Sequence, residues 1–177
     1  MHYRRVESDM SREDTRRILT VLERPEIPRA LRQKPIQQIL ICRLPEQGTS
    51  GVYSYDDRTV TLNSARKMGV HFGETFRPGS TGNMSAATTD KLESPRRSLL
   101  HELAHHFERM GEAGKLIDDA FSNPGKRPIT RYAATPNWRE YFAESLVAYS
   151  VEPEALLKHD PTGSMMVKVV LAAIQKI

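Results

Sequence analysis

Cysteine is nearly absent from this chain: Cys42 is the single thiol among 177 residues. One thiol excludes an internal disulfide framework and fits a reducing compartment. Long apolar runs are missing too. None approaches the roughly 20 residues that a bilayer span needs, so no membrane partner is expected. The opening residues, Met1-His2-Tyr3-Arg4-Arg5, lead into charge and carry no apolar h-region. A secretory signal peptide is therefore not expected. The anticipated location is the cytoplasm, or wherever a route that uses no signal peptide delivers the chain. Aromatic residues make up only 7%. The net charge of +4 rests on arginines that are scattered, with short pairs at Arg4-Arg5, Arg16-Arg17 and Arg96-Arg97. Without a stacking platform or a nucleic-acid motif, a solvated basic surface is expected rather than a nucleic-acid partner.

What is present suits a soluble enzyme. A content of 38% hydrophobic and 27% charged residues is that of a globular protein. The length fits one domain over residues 1–177, long enough to bury an ordinary core. Residues 1–35 read as an N-terminal helical segment without an assigned role: Ser11-Arg12-Glu13-Asp14 caps a helix with Ile18, Leu19, Val21 and Leu22 as its apolar stripe. Ile36 to Leu44 is aliphatic and β-branched and reads as a buried strand. Val52-Tyr53-Ser54-Tyr55 and Thr59-Val60-Thr61-Leu62 alternate around Asp56-Asp57-Arg58, which predicts a β-hairpin. Residues 64–93, rich in glycine and holding His71, read as a long surface loop.

Helices should dominate from there on. Ser94-Pro95 is a start signal for a helix running to about Met110, with Gly111 as its stop. A shorter helix is expected around Lys115 to Phe121. Thr135-Pro136 should open another, ending near Val151, and Ser164 to Ile177 should form the last. The pair Met165-Met166 reads as core filling, and Trp138 as an anchor of its helix start.

The helix from Ser94 carries the chemistry, in His101-Glu102-Leu103-Ala104-His105. Residues four apart share a helix face, so the imidazoles of His101 and His105 can grip one metal ion. Leu99, Leu103 and Phe107 occupy a different face, for the core. Glu102 follows the first ligand directly, where its carboxylate can serve a metal-activated water as general base. His106 projects about 100° away from His105 and reads as structural. A catalytic zinc takes three protein ligands. No cysteine follows the motif and the only later histidine is His159, so a carboxylate is expected as the third. Glu140 and Glu144, one turn apart, both qualify.

A Gly-Val-Tyr hairpin ending in Thr-Val-Thr-Leu-Asn, then His-Glu-Leu-Ala-His, then Tyr132 and Glu140-Tyr141-Phe142-Ala143-Glu144, resembles one family across roughly residues 50–150. That family comprises the catalytic domain of anthrax lethal factor and the bacterial Pro-Pro endopeptidases, which are gluzincin zinc peptidases. The resemblance implies an α+β, zincin-like fold: a small mixed β-sheet, an active-site helix and a helical C-terminal part. It implies Zn2+ as cofactor, held by His101, His105 and Glu140. Glu144 then supports a ligand histidine, Glu102 is the base, and Tyr132 donates to the oxyanion of the tetrahedral intermediate.

The expected activity is zinc-dependent endopeptidase. A protein or peptide substrate should pair with an edge strand near Thr59–Asn63 by backbone hydrogen bonds. Two other functions share the motif: a non-enzymatic zincin-fold binding module, and a regulatory protease acting on a DNA-binding repressor. The intact Glu102 argues against the first, which has no use for a base.

Overall fold

The computed structural model describes residues 2–25, 27, 34–45, 50–65, 92–122, 127–130 and 133–176. Among them the chain is α+β, with a small mixed four-stranded sheet and six α-helices. Its order is β1 (Tyr3–Ser8), α1 (Arg12–Leu19), β2 (Ile36–Cys42), β3 (Gly51–Ser54), β4 (Thr59–Asn63), α2 (Glu93–Phe107), α3 (Glu112–Phe121), α4 (Trp138–Val151), α5 (Pro153–His159) and α6 (Pro161–Ile174). A short 3-10 turn, Thr20–Glu23, extends α1. No described helix is long and apolar enough to cross a membrane.

The N-terminal segment is not purely helical, as residues 1–35 had suggested. It begins with β1, which pairs in parallel with β2 through Tyr3–Ile36 to Ser8–Ile41. This strand hides from pattern reading because only Tyr3 and Val6 are partly covered. The remainder is exposed, and charge is what protects an edge strand from unwanted pairing. The helix that follows starts where its cap predicts: Ser11 Oγ accepts from Asp14 N–H at 3.0 Å.

The sheet order is β1-β2-β4-β3. β2 pairs in parallel with β4, and β4 turns back antiparallel onto β3. Thr59–Asn63 is therefore interior, contrary to the expectation that it forms the edge. Hairpin periodicity shows that two strands pair, but not which of them joins the third. Among the described residues β3 is the edge on this side.

Alternation along the strands makes the sheet one-sided. Ile39, Ile41, Val60, Leu62 and Tyr53 are buried and share the face that meets α2. Leu99, Leu100, Leu103, Ala104 and Phe107 of α2 are fully buried, around a helix that packs on both the sheet and α4. Their burial stabilises the packing of α2 by roughly 1.5–3 kcal/mol for each large side chain.

Behind α2, helices α3, α4 and α6 close a second apolar layer. Phe121 packs edge-on against Phe142 and Tyr141, at ring separations of 5.1 and 5.7 Å. Residues 153–159 form α5, a helix that no expectation from the sequence covers. The last helix begins at Pro161, with Asp160 as its cap accepting from Gly163 N–H at 2.9 Å. Asp160 also accepts a short hydrogen bond from Tyr141 Oη, which ties α4 to α6. Met165 is 55% exposed, so of the expected core pair only Met166 packs against the interior. Trp138 is the first residue of α4 and is partly buried, as a helix-start anchor should be.

Candidate metal centre

Helix α2 has no side-chain cap: Leu92 precedes it, and Ser94-Pro95 lie within its first turn. Its position is set instead by the buried stripe, which leaves His101 and His105 facing α4 and Glu102 facing β3. Helix α4 starts at Trp138 rather than Pro136, capped by Asn137, whose side chain accepts from Arg139 N–H at 3.2 Å. One turn in, Glu140 faces the two histidines, and Glu144 follows on the same side.

Three donor atoms converge. His101 Nε2 and His105 Nε2 are 3.3 Å apart. Glu140 Oε2 lies 3.1 Å from the first and 3.6 Å from the second. Bonds of about 2.0–2.1 Å in a tetrahedron place neighbouring ligand atoms roughly 3.3–3.4 Å apart. The triangle thus has the dimensions of one face of a zinc tetrahedron. His101, His105 and Glu140 can hold a metal ion.

The supporting hydrogen bonds fall on the other ring nitrogens. His101 Nδ1 is 2.9 Å from Glu144 Oε1, and His105 Nδ1 is 3.0 Å from Glu108 Oε1. A carboxylate only accepts, so each Nδ1 carries a proton, and in the neutral ring the lone pair that can take a metal then sits on Nε2. Asn137 Nδ2 donates to Glu140 Oε1 at 3.2 Å. The other oxygen, Oε2, is buried against the two imidazoles. A carboxylate oxygen buried there needs positive charge beside it, from protonated rings or from a cation in their place.

Electrostatics favour the same conclusion. Burial lowers the affinity of His101 for a proton, but Glu140 and Glu144 outweigh it and raise its pKa to about 10. At His105 burial is likewise overcome, here by Glu108 and Glu140, and the pKa rises to about 9. Burial pushes Glu140 up, yet the two histidines pull it down to about 2. A pocket that so strongly favours positive charge suits a divalent cation.

Glu102 is buried beside the edge strand. A Cβ added at Gly51 would sit 2.8 Å from Glu102 Oε1, so a larger residue there would displace the Glu102 carboxylate. Burial raises the Glu102 pKa, against the pull of the two histidines and a hydrogen bond from the Tyr53 backbone N–H. A raised carboxylate pKa moves toward neutrality, where a general base is most effective.

His106 lies outside the cluster. It is 1% exposed. Its Nε2 is 2.8 Å from Lys34 O, so that nitrogen donates and Nδ1 accepts from Tyr53 Oη at 2.8 Å. It is a structural histidine with a pKa lowered by burial. His159 ends α5, buried and 3.4 Å from Pro128 O, far from metal duty.

Tyr132 and His71 lie outside the described residues. Two members of the site escaped the sequence reading, Glu108 and Asn137. Both stand three residues from a ligand, His105 and Glu140 respectively, at a helical spacing that a search for supporting partners would have flagged. Compared with protein-family models, with curated proteins and with solved structures, the chain matches none.

Proposed function

We propose that this chain is a zinc-dependent endopeptidase of zincin-like fold, with His101, His105 and Glu140 as metal ligands and Glu102 as general base. One observation carries the reading: two Nε2 atoms and a carboxylate oxygen converge at zinc spacing, with a buried glutamate next to the first ligand. Two imidazoles and a carboxylate are a common donor set for catalytic zinc, which keeps its fourth position for water. The resemblance to the lethal factor and Pro-Pro endopeptidase group supports the same assignment.

When bound, zinc supplies a Lewis acid that activates water and polarises a carbonyl. Glu102 then takes the proton at its carboxylate and passes it on to the leaving amine. Glu144 and Glu108 hold the imidazoles in the metal-binding tautomer. Tyr132, by the same resemblance, donates to the developing oxyanion.

A peptide is proposed to lie along β3 instead of β4. Asn63 N–H donates to Ser50 O at 2.9 Å, so bonding toward β4 falls on residues 50, 52 and 54 by alternation. The backbone groups of Gly51 and Tyr53 consequently point outward. The Tyr53 N–H reaches Glu102, which places the outer rim of β3 next to the base. An extended peptide pairing with this rim would bring a carbonyl beside Glu102.

The alternative of a binding module without catalysis gives no use to a carboxylate buried beside both histidines, which Glu102 supplies. Peptide-library cleavage with zinc-loaded wild type and Glu102→Ala decides. Cleavage by wild type, abolished in a variant that keeps its zinc, is the expected result. Equal cleavage by both, or none by zinc-loaded wild type, would refute the peptidase assignment.

A further inference from the structure

We infer that Glu108 is a positioning residue of the metal centre: it fixes His105 and links that ligand to the β3–β4 hairpin and to the start of α4. The inference rests on the metal-site reading above and adds a component to it.

Glu108 follows α2 directly, and its side chain is only 5% exposed. Its two oxygens do different work. Oε1 accepts from His105 Nδ1 at 3.0 Å. Oε2 accepts from Tyr55 Oη at 3.2 Å and meets Arg139 Nε at 3.3 Å. Tyr55 belongs to the hairpin turn, its ring edge-on to that of Tyr53 at 5.1 Å and to that of His105 at 6.4 Å. Arg139 precedes the ligand Glu140 and stacks over Trp138 at 4.8 Å. One carboxylate therefore joins the hairpin, the end of α2 and the first turn of α4.

The geometry has a chemical consequence. A carboxylate gripped from two sides at Oε2 cannot rotate without breaking those contacts, so Oε1 presents a fixed acceptor to His105. That fixes the tautomer and ring plane of the ligand and raises the basicity of its Nε2. Glu144, 43 residues from His101 in sequence, supports the other histidine from across the interface; Glu108 is its local counterpart.

The test measures Zn2+ affinity of the full chain by competition with a chromophoric chelator, together with the visible spectrum of the Co2+-loaded protein. Glu108→Ala should weaken Zn2+ binding by about 10–100-fold and shift the Co2+ bands. Glu108→Gln keeps an amide oxygen for the Nδ1–H and should recover most of the affinity. Tyr55→Phe, which leaves His105 its acceptor but frees one side of the carboxylate, should give a smaller loss and a small band shift. Circular dichroism establishes that each variant is folded. Wild-type affinity and unshifted bands in folded Glu108→Ala would overturn the inference while leaving the metal site standing. A Gln variant no better than Ala would overturn it as well, since charge and not positioning would then be at work. Absence of Zn2+ binding by wild type would instead overturn the metal reading itself, and this inference with it.

Discussion

The two histidines of the candidate metal centre are held in contrasting ways. His101 depends on a distant residue, Glu144 of α4, so its orientation exists only once α2 and α4 have packed. His105 depends on Glu108, three residues away, which Tyr55 and Arg139 then brace. One half of the centre is assembled by tertiary structure, the other by the helix end. A five-residue motif gives the candidate ligands, while their tautomers and directions come from whichever carboxylates the fold delivers to the Nδ1 atoms.

Several substitutions sharpen that contrast. Removing the shared ligand should do most: Glu140→Ala should reduce Zn2+ affinity by more than the roughly 10–100-fold loss expected on deleting a supporting partner. Chelator competition checks this, and retained affinity would move the third ligand to Glu144. Next comes Gly51→Ala. Its new Cβ would press on Glu102 Oε1 from 2.8 Å, and misplacing a catalytic group by about 1 Å can cost on the order of 10²-fold in rate. Zn2+ binding should be untouched, so the effect should appear in peptide turnover alone.

Glu144→Ala breaks the tertiary support of His101 and should weaken Zn2+ by about 10–100-fold. The sharper expectation concerns mild denaturant. The His101 support should fail as soon as α2 and α4 separate, whereas the His105–Glu108 pair should outlast that separation. Ring-proton NMR of the two histidines through a urea titration follows each, and simultaneous loss would erase the contrast.

Smallest at the site should be Tyr53→Phe. It removes the donor to His106 Nδ1, leaving a buried acceptor unsatisfied at a cost of about 1–3 kcal/mol. Urea unfolding should register this as a lower midpoint, with Zn2+ affinity unchanged. A large metal effect would mean that His106 is coupled to the centre.

Much of this arrangement was legible in the residues. The stripe Leu99-Leu103-Phe107 placed the motif helix, and Ser11 marked the start of α1 because its cap is a local hydrogen bond. Glu140 and Glu144 were readable as one face because helical spacing is fixed. Local rules failed where a choice depended on partners. The strand Tyr3–Ser8 carries little apolar signal, since an edge strand is protected by charge. Thr59–Asn63 was expected at the rim but lies inside, because strand order is decided by the parallel pairing of β2 with β4. The start of α4 shifted to Trp138 because Asn137 caps better than the Thr-Pro pair before it. Glu108 was visible at helical spacing from His105, yet nothing in the sequence says that Tyr55 and Arg139 would anchor it.

His101, His105 and Glu140 are proposed to hold one zinc ion. Zinc-edge X-ray absorption of the metal-loaded protein tests this most directly. The predicted result is one zinc per chain in a nitrogen and oxygen shell at about 2.0–2.1 Å, with the outer scattering of two imidazoles. A spectrum showing a single imidazole, or a sulfur shell from Cys42, would contradict it.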